Sequence, residues 1–139
     1  MNINTGFVDL STNGNGDTID ITDRISELIR KSGLKSGLMT VFTPSATSAI
    51  TTIEYEPGCV SDLKRLFDEI VPINRDYLHN LKWGDGNGHS HIRAALLKAS
   101  LSIPFENGRL FLGTWQNIIV VDFDNKPRNR KLVVQLMGE

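Results

Sequence analysis

The run Ile118-Ile119-Val120-Val121 constrains this chain more than any other feature. Four consecutive β-branched residues favour extended backbone, and within Asn117 to Phe123 they are long enough for a strand buried on both faces. The surrounding punctuation makes the last third an antiparallel sheet. Leu101-Ser102-Ile103 and Arg109-Leu110-Phe111-Leu112 flank Asn107-Gly108, a strong hairpin signal because both residues tolerate positive φ. Asp124-Asn125-Lys126-Pro127 turns the chain into a closing strand over Lys131 to Leu136.

Upstream, helices and strands are interspersed. Phe7-Val8-Asp9-Leu10 reads as a strand ended by the turn-rich Asn13 to Asp17. Ile21, Ile25, Leu28 and Ile29 mark one face of a helix that Asp20 or Thr22 caps and Gly33 ends. Leu38 to Phe42 and Ala49 to Tyr55 read as two strands joined at Thr43 to Ala46. Ser61 precedes a helix carrying Leu63, Leu66, Phe67 and Ile70, which Pro72 terminates. Residues 72–88, with three Asn and three Gly, read as a long loop, and long loops are often functional. Ile92, Ala95, Leu96 and Ala99 then mark a third helix, starting near His89 to His91, with Ala-Ala-Leu-Leu giving high helix propensity. The order predicts an α+β fold in one domain spanning residues 1–139, without repeats or linkers.

With 139 residues, of which 40% are hydrophobic and 22% charged, the chain can bury a core without disulfides. Fifteen basic and sixteen acidic residues give a net charge of -1, which argues against nucleic acid as a partner. The one basic cluster, Lys126, Arg128, Arg130 and Lys131, reads either as the solvated face of an edge strand or as a phosphate contact. Cys59 stands alone, so no intrachain disulfide forms, and a nucleophilic role has no basic neighbour to support it. No apolar run approaches the ~20 residues of a bilayer span, and Met1 to Thr5 lacks signal-peptide character; a cytoplasmic protein with no membrane role is expected.

All three histidines, His79, His89 and His91, fall within thirteen positions. In extended backbone His89 and His91 would point to one side, as a shared metal needs; in a helix they diverge by roughly 200°. Gly86 and Gly88 leave both options open, and a structural reading, with His89 at a helix cap and His91 merely satisfied, stands beside them. The same glycine-bearing turn feeding a helix offers amides to a phosphate or carboxylate, with the Ser90 hydroxyl and Arg93 nearby. Glu54 is a candidate metal ligand or general base, or a solvated strand end. Gly113-Thr114-Trp115-Gln116 interrupts an apolar strand, as a ligand approach or an interface would.

The segment His89-Ser90-His91-Ile92-Arg93-Ala94-Ala95-Leu96-Leu97, taken with Asn107 to Leu110, Gly113 to Gln116 and the closing Gln135-Leu136-Met137-Gly138-Glu139, resembles the YjbQ family. That family is also described as the secondary thiamine-phosphate synthase enzymes. The resemblance covers nearly the whole chain, most clearly from Phe42 onward. It implies a mixed, largely antiparallel sheet with helices packed on it, in a compact homotrimer with sites near subunit boundaries. It places functional residues at Glu54, His79, His89, Ser90, His91 and the Gly113 to Gln116 segment, with Arg128 and Arg130 as basic neighbours. Ser45-Ala46-Thr47 stands where relatives usually carry His-Thr-Ser or His-Thr-Thr, and Ile53-Glu54 where they carry Asn-Glu. Serine at position 45 removes an imidazole that would serve as ligand or proton carrier, which weakens the case for a shared metal mechanism.

The family name implies a transferase that joins a hydroxymethylpyrimidine diphosphate to a thiazole phosphate with loss of pyrophosphate. Such a reaction needs positioned cations and N–H donors more than a strong base. On this reading Ser90, Arg93, Arg128 and Arg130 bind phosphate, His79 and His91 stabilise the leaving group or hold a metal, and Trp115, between Thr114 and Gln116, stacks under a ring. A rival enzyme is a hydrolase of a small phosphorylated or cyclic metabolite, with a divalent metal, zinc or magnesium, on His79, His89 and His91 and with Glu54 as base. A non-catalytic trimer binding a small phosphorylated metabolite is the third reading.

Overall fold

A computed structural model describes all 139 residues. The elements are β1 (Asn2–Thr12), β2 (Asp17–Asp20), α1 (Thr22–Ser32), β3 (Ser36–Phe42), β4 (Ser48–Ile53), α2 (Pro57–Ile70), α3 (Leu78–Trp83), α4 (Gly88–Leu97), β5 (Ser100–Glu106), β6 (Arg109–Leu110), β7 (Asn117–Asp122) and β8 (Arg128–Gly138). The strands form two sheets, one of five in the order β1-β8-β3-β5-β6 and one of three in the order β2-β7-β4. Every pairing is antiparallel, within the expected α+β class.

The apolar run in β7 is buried on both faces, as its composition requires. Ile118 and Val120 face one way, into a core with Ile25 and Ile29 of α1 and the inner face of the five-stranded sheet. Ile119 and Val121 face the other way, against Phe67 of α2, Ala94 of α4 and Phe123. All four run side chains are at most 2% exposed, and burial of each contributes about 1.5–3 kcal/mol. The small sheet is thus a middle layer, with α1 and the large sheet on one side and α2 and α4 on the other.

Local chemistry sets the boundaries. Gly33, at φ 72°, ends α1 as predicted, and Asp20 Oδ1 accepts from both the amide and the hydroxyl of Thr22. The start of α2 lies four residues before Ser61, because the Glu56 carboxylate accepts from the amides of Gly58 and Cys59 while Pro57 takes the first helical position. The Asn107-Gly108 turn has positive φ at both residues.

Two expectations fail. Residues 72–88 are not all loop, since α3 lies within them. Gly113 to Gln116 is no strand; the Gly113 amide donates to Gln116 Oε1 and the Gln116 amide to the Gly113 carbonyl, closing an exposed turn. In α4 the apolar stripe points outward. Ile92 and Leu96 are 48% and 57% exposed, whereas His89, Ser90 and Arg93 are buried. Ser90 and Arg93 can be interior because their hydrogen bonds are met there, whereas His89 Nδ1 is buried without a partner. Ser90 Oγ donates to the Phe123 carbonyl, and the Arg93 guanidinium donates to the Val71 carbonyl and to Asp68, tying α4 to β7 and to the end of α2.

Candidate functional site: an arginine-lined cavity beside a histidine pair

Buried acids at the end of β7 organise the site. Asp122 is fully buried and accepts Nε and Nη2 of Arg130 at 2.7 and 3.0 Å, the Thr12 hydroxyl at 2.6 Å and the Asp124 amide at 3.0 Å. Asp124, 2% exposed, accepts Arg128 Nε at 2.8 Å, the Asn125 amide at 2.8 Å and Asn87 Nδ2 at 3.3 Å. Burial alone would raise the Asp124 carboxyl, but the hydrogen bonds from Asn87, Asn125 and Arg128 and the charge of Arg128 outweigh it and hold it below its ordinary value of 3.8. Asp122 ends β7 and Asp124 lies in the turn that follows, while Arg128 and Arg130 sit at i and i+2 of β8, where extended backbone aims both to one side.

The arginines keep donors free for a ligand. Arg130 gives Nη2 also to the Thr47 hydroxyl at 2.8 Å, while its Nη1 bonds nothing in the chain. Arg128 commits only Nε, its two Nη groups have no protein hydrogen-bond partner, and its side chain is 38% exposed. Both line a cavity of about 430 Å³ with Thr47, Asn87, Asp124, His79, Trp83, Asp85 and His91. Of the basic cluster, Arg128 and Arg130 are half-buried at this cavity while Lys126 and Lys131 are exposed, and over residues 128–132 β8 pairs with β1 alone, so the solvated-edge reading holds for the lysines and not for the arginines.

His79 and His91 meet at this cavity with ring centroids 4.4 Å apart. Tight packing of α3 on α4 makes that possible. A Cβ on Gly88 would sit 2.5 Å from Tyr77 Cβ, so only glycine allows the approach. Asn80 Oδ1 accepts the Gly88 amide at 2.8 Å, and Asn125 Nδ2 donates to the Asp85 carbonyl at 2.7 Å, fixing both ends of the segment that carries His79. Asp85 Oδ1 lies 3.6 Å from His79 Nδ1, too far for a hydrogen bond. His79 Nδ1, Asn87 Oδ1 and His89 Nδ1 are buried without hydrogen-bond partners, and the first two belong to residues that line the cavity.

The three histidines do not converge. Because α4 begins at Gly88, His89 and His91 are both helical and diverge as helical geometry dictates, and no three His, Cys, Asp or Glu side chains come together as a metal site would need. The residues present do not fit the expected three-histidine centre. His89 is 2% exposed near the Tyr77 ring, and burial, assisted by the Arg93 charge and opposed by Asp124, pushes its imidazole below the ordinary 6.5. The amide anion site expected at residues 89–91 is likewise closed. Asn87 to Ser90 are buried, the Gly88 amide is held by Asn80, and the Ser90 amide donates to Asn87.

Other expected site residues also lie elsewhere. Arg93 is an interior tie, Ser90 a core hydroxyl, and Glu54 an exposed residue past the end of β4 that does not line the cavity. Thr114, Trp115 and Gln116 sit on the exposed turn, with Trp115 71% exposed, and the aromatic in the cavity wall is Trp83. Sequence reading missed Asp122, Asp124, Asn87, Thr47 and Trp83. For the two aspartates a signal was present, since acids ending a doubly buried strand need cationic partners nearby.

Comparison with known proteins agrees with this architecture. The profile of the family described as "UPF0047 protein YjbQ-like" matches residues 7–139. A UPF0047 protein of Methanothermobacter thermautotrophicus is 37% identical over all of this chain and 95% of its own length. The UPF0047 protein YugU of Bacillus subtilis is 33% identical over 93% of this chain and 96% of its own. A crystal structure of a hypothetical protein from Aeropyrum pernix superposes with a TM-score of 0.91 at 32% identity, covering 98% of this chain and 99% of that one. A Sulfolobus solfataricus structure, described as a protein of unknown function, gives 0.89 at 33% identity, covering 99% and 100%. With the match extending through fold, length and sequence, the chain belongs to the YjbQ-like UPF0047 family.

Proposed function

We propose that the cavity binds the phosphate of a small phosphorylated metabolite and catalyses group transfer with a phosphate leaving group, as in thiamine-phosphate synthesis. One observation carries the reading: two arginines, each fixed on a buried aspartate, present unused N–H donors to the same cavity as a histidine pair. Pre-placed cations of this kind stabilise charge developing on a leaving phosphate without reorganisation.

In the transferase reaction the bond between the pyrimidine methylene carbon and the diphosphate oxygen breaks, and its electron pair stays on pyrophosphate. The thiazole nitrogen lone pair forms the new carbon–nitrogen bond. Arg128 holds the departing phosphates, His91 and His79 donate hydrogen bonds to the leaving oxygen, and Trp83 supplies a face for the pyrimidine ring. The test is pyrophosphate release from the two phosphorylated substrates. Release that falls about tenfold or more in Arg128→Met, as loss of charged hydrogen bonds implies, supports the assignment. Release that is absent in the wild type, or unchanged in the variant, overturns it.

The proposal includes a homotrimer. Two unlike apolar surfaces support it. Ile3, Phe7, Leu38, Phe42 and Met137 are 40–64% exposed on the outer face of the large sheet, where Ile3 and Leu38 both pair with Met137. Ile92 and Leu96 stand open on α4. Contact between unlike patches closes a ring when the rotation permits.

A further inference from the structure

Lys98 follows the last residue of α4 with φ 77° and ψ 165°, a region essentially restricted to glycine. Two backbone bonds hold it there. Its amide donates to the Ala94 carbonyl at 2.8 Å, closing the helix, and its carbonyl accepts the Ile50 amide at 3.0 Å, joining the helix end to β4. Glycine would satisfy both bonds without strain, so the lysine side chain calls for another reason. Its ammonium makes no ion pair and no hydrogen bond within the chain, and it lines a second cavity of about 470 Å³. That cavity shares Ser45, Ala46 and His91 with the phosphate cavity, and its walls include Ala94, Ala95 and Ala99. The two spaces together run from the end where Arg128 and Arg130, each paired with a buried aspartate, offer unused N–H donors, past His91 and small apolar side chains, to the free ammonium of Lys98.

We infer that Lys98 is a specificity determinant that holds a second anionic group of the ligand, at the far end of an apolar spacer from the phosphate. The inference rests on the phosphate reading of the first cavity and deepens it, since two anionic groups are then bound at a fixed separation, on one ligand or as the phosphates of the two substrates of the transfer. A backbone conformation unfavourable to lysine is retained because only a long cationic side chain reaches that end group from the end of α4.

The test uses inorganic phosphate, a series of ω-phosphonocarboxylates with two to five methylenes, and alkylphosphonates of matching length, measured by calorimetry on the whole protein. The best phosphonocarboxylate should bind about fivefold more tightly than its alkyl counterpart, the upper range for a partly exposed charge pair. Lys98→Met and Lys98→Gly should both erase that preference, with phosphate affinity changing less than twofold. Lys98→Gly should in addition raise Tm by about 3–8 °C as the strain is relieved, while Lys98→Met should not. A preference that survives in either variant, or is missing in the wild type while phosphate binds, overturns the inference alone. A Lys98→Gly variant no more stable than the wild type also overturns it, since the lysine would then be held at no cost. Failure of the wild type to bind phosphate at all overturns the cavity reading and this inference with it.

Discussion

Replacing Arg130 by Met removes the cation from a carboxylate that water does not reach. Arg130 is 14% exposed and Asp122 0%, so the pair lies in the regime where breaking one partner costs far more than the intact pair contributes. Asp122 would keep only two donors, the Thr12 hydroxyl and the Asp124 amide. The general cost of such a break is about 3–5 kcal/mol, and the two remaining donors place this case near the lower end, about 3 kcal/mol. For a domain of this size that corresponds to a fall in Tm of about 10 °C. Urea unfolding measures it directly, with a lower midpoint at unchanged slope. The double variant Asp122→Leu/Arg130→Met should regain most of the loss, because an apolar pair leaves no buried charge. A single variant that loses less than about 1 kcal/mol, or a double variant no more stable than the single one, would refute the claim that this pair is buried and structurally required.

Three further outcomes follow from the same geometry. Gly88→Ala should cost about 1–3 kcal/mol by overpacking against Tyr77 and should displace His79 from His91, seen as weaker phosphate binding; an unaffected variant would mean that α3 is not held where described. The neutral buried state of His89 makes a stability contribution that is fully present above 6.5 and is lost as pH falls below it toward the depressed folded value, because the unfolded chain takes up the proton first. Unfolding from pH 7.5 to 5 should therefore show a decline that His89→Phe flattens, by at most about 1.4 kcal/mol per pH unit; a level wild-type profile contradicts this. Phe7→Glu places a charge on the outer sheet face and should convert a trimer to monomers in light scattering, whereas a wild type that is monomeric at all concentrations removes the assembly from the proposal.

Long, strongly patterned elements were legible in the sequence, and short or context-dependent ones were not. The β7 run, the Gly33 helix end and the Asn107-Gly108 hairpin each carry a local cause that tertiary structure does not override. Short strand β2 and the two-residue β6 leave no periodicity to read, and the apolar residues of α3, Leu78 and Leu81, are 81% exposed and mark no core face. The inverted α4 is more instructive. Residue type suggested that Ile92 and Leu96 face inward, yet the interior takes His89, Ser90 and Arg93, because partners for Ser90 and Arg93 are contributed by β7 and the end of α2, distant in sequence. The same inversion explains the site. Two of the residues that looked most like ligand donors are structural ties, and the acids that organise the cavity sit at and just past the end of a strand whose apolar run drew attention to the core. Of the expected set, His79, His91, Arg128 and Arg130 come together at one cavity.

An anion held between Arg128 and the His79–His91 pair leaves the buried His89 untouched. Long-range proton–nitrogen spectra of the imidazoles, recorded as inorganic phosphate is added, report on all three rings in one experiment. The His79 and His91 signals should shift together and saturate, those of His89 should stay in place, and Arg128→Met should weaken the response. Ring signals that ignore phosphate, or a response confined to His89, would contradict this arrangement.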